Sequence, residues 1–342
     1  MRLSFIIISH RPELLRRCLE SLDISGCPGT EILVLLNGDF PGLREEFSGC
    51  WPQARVQEIP RSSRGAARNL ALGRTSGELL YFLDDDVIVP PGFCGRVLEK
   101  FARNPDAGYG GGPNLGAPGA TAFQTAVDFA LSSHWGAGPM RVRYHAGGED
   151  RRLPSWGFML CNLGVRRRLL TEAGLSFPES CVSAEENLLL YRTEKLSGPG
   201  LFSPELHVQH VRRKDLAGFC HQTFQSGAGR MQITRMAPGS LQLTTLLPPA
   251  GLLYLAAAAW RPRAALAPLA LYAAACLLAA LRLLLKTRRP AAAAWLPLVL
   301  ALGHLSYALG MLAGIRLPLD PHSRRAPGRA AAGPAPEAPP NP

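Results

Sequence analysis

The sequence predicts an α/β protein: a mixed, mostly parallel sheet flanked by helices, followed by apolar helices toward the C-terminal end. Three observations carry this expectation. Continuous apolar runs rich in β-branched residues recur along the first part of the chain. Helix-period segments alternate with them, the pattern of βαβ units with right-handed crossovers. From about Leu241 to Ile315 the composition then shifts to Leu and Ala and acids are depleted.

Leu3 to Ser9 reads as the first buried strand. Pro12 and Glu13 open a helix with Leu14, Leu15, Cys18, Leu19 and Leu22 on one face. Glu31 to Leu36 is a second buried strand, ended by the turn residues Asn37-Gly38-Asp39. Val56 to Ile59 is a short strand, and Arg64 to Leu72 a helix entered through Ser62-Ser63, good N-cap residues. Glu78 to Leu83 is the next strand, and it runs into Asp84-Asp85-Asp86. A helix follows Pro91 to about Arg103, and Tyr109 to Gly119 is Gly/Pro-rich and reads as loop. Arg166 to Ala173 and Glu185 to Lys195 read as helices, Phe202 to His210 as a strand, and Asp215 to Arg230 as an amphipathic helix.

Three apolar stretches come next. Leu241 to Trp260 is interrupted by Pro248-Pro249 and reads as a kinked span or an interfacial segment. Ala264 to Leu285 and Ala291 to Ile315 are long enough to cross a bilayer, which needs about 20 residues. The expected organisation is a cytosolic domain at 1–235, a membrane region at 241–315 with two or three transmembrane helices, and a disordered Pro/Ala-rich tail at 316–342. The basic loop Lys286 to Arg289 favours the cytosolic side for that loop. Leu3 to Ile8 is too short for a signal-peptide core, so the expected location is the cytoplasmic membrane, multi-pass, with the α/β domain in the cytosol.

The net charge is +11, but the basic residues are scattered. Clusters such as Arg166-Arg167-Arg168 and Arg212-Arg213-Lys214 suit a phosphate ligand or an anionic membrane surface, and nucleic acid is not expected as a partner. Eight cysteines stand singly with no CxxC pair, which argues against a zinc site and for reduced thiols. Neither GxGxxG after a strand nor GxxxxGK[ST] occurs.

Three like charges at a strand end repel one another unless a cation joins them. Carboxylate oxygens suit hard divalent cations, and ligands of open α/β sheets bind at the carboxyl ends of strands. Asp86 with either Asp84 or Asp85 is therefore the expected seat of Mg²⁺ or Mn²⁺ bridging a nucleotide diphosphate. Glu185-Glu186, at a helix start, supply a candidate general base. On a strand, His207 and His210 face opposite ways, so only one of them faces the site. Arg212 or Arg213 could bind phosphate oxygens.

The order of motifs resembles that of family 2 glycosyltransferases with the GT-A fold. It consists of Ser9-His10-Arg11-Pro12, Asn37-Gly38-Asp39, Arg64-Gly65-Ala66-Ala67-Arg68-Asn69, Ser76-Gly77-Glu78 and Phe82-Leu83-Asp84-Asp85-Asp86. The resemblance covers about residues 3 to 230. It implies donor contacts from Ser9, Arg11, Asn37, Arg64, Asn69, Asp84 and Asp85, with a UDP-sugar as the expected donor. It implies a metal set of Asp86, Asp84 and His210, and Glu186 as base with Glu185 as the alternative. Acceptor-side residues would be Trp156, Asn162 and Gln222, the last within a segment that resembles the family's Gln-x-Phe-x-x-Gly-x-Gly-Arg. Where the family commonly carries an Asp after the second strand, this chain has Leu36 followed by Asn37. The Gln-x-x-Arg-Trp signature of processive synthases is missing.

The resemblance implies a metal-dependent, inverting glycosyltransferase of the hexosyltransferase type, with a lipid-linked or polysaccharide-precursor hydroxyl as acceptor. Two other classes compete. A sugar-phosphate nucleotidyltransferase would need a Gly-rich, Lys-bearing loop after the first strand, and none follows Ile8. A non-catalytic membrane scaffold would have no use for Asp84 to Asp86 and Glu185-Glu186 together.

Overall fold

A computed structural model describes residues 1–258 and 262–319. The first part of the chain is built from β1 (Leu3–Ser9), α1 (Pro12–Ser21), β2 (Thr30–Asn37), α2 (Leu43–Cys50), β3 (Ala54–Ile59), α3 (Arg64–Gly73), β4 (Leu79–Asp84), β5 (Val87–Ile88) and α4 (Phe93–Arg103). Then come β6 (Tyr109–Gly111), β7 (Asn114–Gly116), α5 (Ala122–Ser132), α6 (His134–Ala137), β8 (Arg151–Leu153), β9 (Asn162–Arg166), α7 (Arg167–Glu172), α8 (Glu185–Ser197), β10 (Gly200–Phe202), β11 (Val208–His210) and α9 (Leu216–Met236). Three apolar helices close the described chain: α10 (Leu247–Ala258), α11 (Pro262–Thr287) and α12 (Pro290–Gly314).

The main sheet has the order β3-β2-β1-β4-β9-β6-β10-β8, and β5-β11-β7 form a second, smaller sheet. The first four strands run parallel, whereas β9 is antiparallel to both β4 and β6. This is the mixed, mostly parallel sheet expected from the sequence. Two apolar cores cover its faces, one around Phe5, Phe47, Phe93 and Phe101, the other around Phe82, Tyr109, Phe177 and Phe202. Register fixes where the chemistry lies. Ser9 pairs with Leu36 and Ile8 with Asp84, so β1, β2 and β4 end together at one edge. In an open sheet that edge is the ligand edge.

Two stretches fold differently from the expectation. Residues 202–210 are not one strand: a 3-10 turn at Pro204–Leu206 carries the chain from β10 in the main sheet to β11 in the small one. Proline has no N–H for a ladder, which suits a break at this point. His207 therefore lies outside a strand, with Nδ1 3.1 Å from Pro204 O, and the opposite-face argument does not apply to it. The Gly-rich segment after Tyr109 is also not plain loop; it supplies β6 and β7. Gly111 lies so close to the Asn162 carbonyl that a Cβ there would collide with it, so the glycines permit the strand contact.

The first apolar stretch forms a short 3-10 turn and the 12-residue helix α10. At 1.5 Å per residue that is about 18 Å, short of the ~30 Å hydrocarbon core. Among the described residues, two helices have sufficient length and apolarity, at Leu266–Thr287 and Pro290–Gly314. Only 17% and 39% of their most apolar windows are buried, and Leu271, Leu277 and Leu285 stand exposed. An apolar face of that kind fits membrane anchoring and not a soluble core. The tail expected from 316 falls, from residue 320 on, outside the described residues.

α12 does not project away from the α/β domain. Phe123 of α5 packs edge-on against Trp295, Gly303 meets Phe219, and Gly310 and Gly314 meet the α9 backbone at Phe224 and Ala228. At its start, Arg289 donates to Thr125 Oγ1 at 2.7 Å. Past its end, the Pro318 carbonyl accepts from Gln232 at 2.8 Å. Gly310 and Gly314 form a small-residue pair one turn apart, which lets two helix backbones approach. Replacing Gly310 by Leu should therefore cost about 1–3 kcal/mol through overpacking. The measurement is thermal unfolding of the full chain in detergent, and an unchanged Tm would contradict this contact.

Candidate functional site

The strand ends of β1 and β4 hold four of the expected residues in one clasp. Ser9 Oγ donates to Asp85 Oδ2 at 2.8 Å and accepts from the Arg11 N–H at 3.1 Å. The Arg11 guanidinium grips Asp85 and reaches Asp86 Oδ2 at 2.8 Å. Asp85 is 2% exposed. Ser9, Arg11 and Asp85, expected as donor contacts, thus face each other and line neither of the two cavities. They brace the edge instead.

Asp86 is held from the other side by the small sheet. His210 pairs with Val87 across β11 and β5, bringing its Nε2 to 3.1 Å from Asp86 Oδ1. Burial pushes the Asp86 carboxyl up, but His210 and Arg11 outweigh it and hold the group well below the ordinary range. Arg212 Nη1, an obligate donor, lies 2.8 Å from His210 Nδ1. That ring nitrogen therefore accepts, and the ring's proton sits on Nε2, facing Asp86. In this arrangement His210 serves Asp86 as a donor.

Asp84 is the carboxylate that lines the larger cavity, of about 1910 Å³. Withdrawal from water and the charge of Asp86 push it above the ordinary aspartate range. One ligand atom each from Asp84, Cys161 and His210 lies within 4.8 Å of the others. Cys161, which sequence reasoning passed over as a site residue, is a poor anionic ligand here. Burial and nearby Asp84 raise its thiol well above the usual value, and its Sγ donates to Asn114 Oδ1 at 3.3 Å. Asp86 Oδ1 is buried and faces His210 Nε2 at 3.1 Å. An open carboxylate at Asp84 beside the anchored carboxylate of Asp86 fits a hard divalent cation.

The other side of the cavity is the start of α8. Ala184 precedes it in the left-handed region, with φ 62°. Glu185 and Glu186 follow, buried, with different partners. Glu185 is paired with Arg68 Nη1, and the other Nη of Arg68 lies 3.6 Å from Asp84. Arg68, 8% exposed, thus links α3, the end of β4 and α8. Sequence reasoning singled out Arg64 and Asn69 from the same run and missed it. The available signal was spacing: Arg64 and Arg68 share a helix face, and both line the cavity.

Glu186 has no ion pair among the described residues; its Oε1 accepts from Asn187 Nδ2 at 3.1 Å. Burial and the adjacent Glu185 raise its pKa from 4.5 to about 7. Gln222 also lines this cavity. Trp156 and Asn162 do not. Asn162 is 1% exposed, takes a bond from Tyr81 and donates to Gly112 O and Leu206 O, so it stitches the sheet together. The Trp156 carbonyl accepts from Arg143. Asn69 is likewise committed, to both backbone groups of Phe177 and to Glu179. Burial sets the Asn162 side chain apart from the cavity and hydrogen-bond commitment does so for Asn69, whereas at Trp156 only the backbone is engaged.

Asn37 borders a second cavity of about 690 Å³, with His10, Asp39, Phe40 and Arg61. Its amide is already occupied by Ser62, accepting from the N–H at 2.9 Å and donating to the carbonyl at 3.1 Å. Asp39 and Phe40 are the groups it leaves open there.

The family model for glycosyl transferase family 2 matches residues 4–169. Succinoglycan biosynthesis protein ExoM of Rhizobium meliloti (strain 1021) is 27% identical over 232 residues, covering 64% of this chain and 70% of that protein. Among solved structures, the mannosyltransferase PcManGT from Pyrobaculum calidifontis, in complex with GDP-Man and Mn²⁺, superposes with a TM-score of 0.58 at 16% identity. That match spans 91% of this chain and 87% of the other. The fold is of the GT-A kind.

Proposed function

We propose that this chain, which matches glycosyl transferase family 2 over residues 4–169, is a glycosyltransferase that moves one sugar from a nucleotide-sugar donor to a hydroxyl of a lipid-linked or polysaccharide-precursor acceptor, with inversion. The observation that carries this reading is a single cavity with Asp84 on one wall and the unpaired carboxyl of Glu186 on another, Arg68 lying between. Inverting transfer needs that pairing: a place for the leaving diphosphate and, opposite, a carboxylate for the acceptor's proton.

Glu186 is favoured over Glu185 as the base. Glu185 is neutralised by Arg68, whereas Glu186 has an amide partner, no ion pair among the described residues, and a pKa poised near 7. The base of the nucleotide would occupy the cavity edged by His10, Asp39 and Phe40, at the ends of β1 and β2. Asp84, with Asp86 beside it, would hold Mg²⁺ or Mn²⁺, with His210 and Arg11 positioning Asp86. When bound, such a cation offsets the negative charge that collects on the departing diphosphate. Arg64 and Arg68 add fixed positive charge on the same side. The exposed apolar faces of α11 and α12 would keep the site at a membrane surface, on the cytosolic side.

The test is a panel of nucleotide sugars with Mn²⁺ or Mg²⁺ on the full chain. Expected is acceptor-dependent release of a nucleoside diphosphate from one donor, and thermal stabilisation by the matching nucleotide. Pyrophosphate release would point to nucleotidyl transfer instead. Silence across the panel would point to a scaffold.

A further inference from the structure

Four arginines are among the buried residues: Arg68, Arg143, Arg212 and Arg230. Arg68 is paired with Glu185, and Arg212 with Asp128 at 2.6 Å. Arg143 and Arg230, 8% and 5% exposed, have no carboxylate oxygen within 4.0 Å among the described residues. Arg143 Nε donates to Trp156 O at 2.6 Å. Its Nη2 and that of Arg230 share one weak acceptor, Asn187 Oδ1, at 3.5 and 3.4 Å, and Arg230 also meets the neutral hydroxyl of Tyr307. A buried guanidinium stays charged, and a buried charge without a counterion is costly. Two of them converging on one amide oxygen therefore call for an anion from outside the chain.

Their place says which anion. Both line the larger cavity beside Glu186 and Asn187, while Asp84, Arg64 and Arg68 serve its donor side. Beyond them the walls turn apolar, with Leu252 and Leu255 from α10, Leu269 and Leu277 from α11, and Leu300 and Leu302 from α12. Guanidinium pairs match phosphate oxygens bidentately, and apolar walls match an acyl or prenyl chain. The neighbouring Glu186, shifted toward neutrality by burial, supplies only part of a counter-charge. We propose that Arg143 and Arg230 form an anion subsite for the phosphate or diphosphate of a lipid-linked acceptor, whose hydrocarbon chain lies along the wall made by α10, α11 and α12. This deepens the transfer reading and rests on it.

The experiment uses the full chain in nanodiscs, saturated with the nucleoside diphosphate that stabilises it most, so that the donor position is filled. Binding of farnesyl diphosphate, farnesol and inorganic pyrophosphate is measured by thermal shift and calorimetry. Farnesyl diphosphate should bind at least about tenfold more tightly than either of the others, since charge-assisted hydrogen bonds are worth ~1.5–3 kcal/mol. Arg143→Gln and Arg230→Gln should each lose about tenfold of that affinity, with nucleotide affinity unchanged. Both should fold, because neither arginine has a carboxylate within 4.0 Å among the described residues; Arg143→Lys and Arg230→Lys should recover part of the loss.

Equal binding of farnesol and farnesyl diphosphate would overturn the anion subsite. Equal binding of pyrophosphate and farnesyl diphosphate would overturn the lipid wall. Displacement by nucleotide, or variants that weaken nucleotide binding instead, would assign the arginines to the donor and overturn the proposal. Failure of the transfer reading would register separately, as absence of stabilisation by any nucleotide; the farnesyl diphosphate arm without nucleotide would still decide.

Discussion

Glu186→Gln lowers the turnover number for sugar transfer by about 10³-fold, within the range of a lost general base, while donor binding stays within about twofold of the parent. The expectation follows from the carboxyl's surroundings. It lines the cavity, has no ion pair within 4.0 Å among the described residues, and accepts from Asn187 Nδ2. Glutamine keeps that bond and the shape, and removes the basic lone pair. In the parent, transfer rises with pH through about 7 as Glu186 loses its proton. In the variant that rise disappears.

Stability gives an independent check on the same residue. Folding raises the pKa of Glu186 from 4.5 to about 7, so the folded chain binds the proton more tightly than the unfolded one. The contribution to stability is full below about pH 4.5 and is lost as pH rises through 7. Above that the buried charge costs about 3 kcal/mol. Glu186→Gln removes this penalty, so at pH 8 its Tm equals or exceeds that of the parent. A variant that lost both activity and stability would indicate a structural role instead.

The second large effect separates two aspartates that the sequence presents as equals. Asp84→Asn lowers metal-stimulated turnover about 100-fold, the scale of ~3 kcal/mol of lost charge stabilisation, and leaves Tm unchanged or raised. Asp84 lines the cavity and its charge is partly withdrawn from water, so neutralising it costs the fold nothing. Asp86→Asn behaves differently. It breaks the contacts to Arg11 and His210 in a buried network, and removing one partner of such a pair costs roughly 3–5 kcal/mol. Calorimetric titration with Mn²⁺ and thermal unfolding of both variants check the contrast. Equal Tm losses in the two would contradict the different placements described above.

The sheet was legible because a buried parallel strand leaves an unmistakable run, as in Leu3 to Ser9 and Glu78 to Leu83, and because strand ends in such sheets are where ligands bind. The short strands β6 to β11 were not, since three or so residues carry no period. Carboxylate positions were legible, but their division of labour was not. Whether Asp85 faces a ligand or Ser9 and Arg11 depends on pairings 74 and 76 residues away in sequence. The same holds for Arg68, which gains its role only when Asp84 and Glu185 arrive from other elements. Asn162 read as an acceptor-side residue because polar side chains near a site draw attention; only burial distinguishes a polar residue that stitches a sheet from one that greets a ligand. The packing of α12 along α9 rests on glycines at 303, 310 and 314, whose meaning depends on the partner backbone.

The most direct test of the central claim is single-turnover transfer by the full chain, with the anomeric configuration of the new linkage read by proton NMR. The account predicts an inverted linkage, formed by the parent and abolished in Glu186→Gln. A retained configuration, or a Glu186→Gln variant that transfers as fast as the parent, would contradict it.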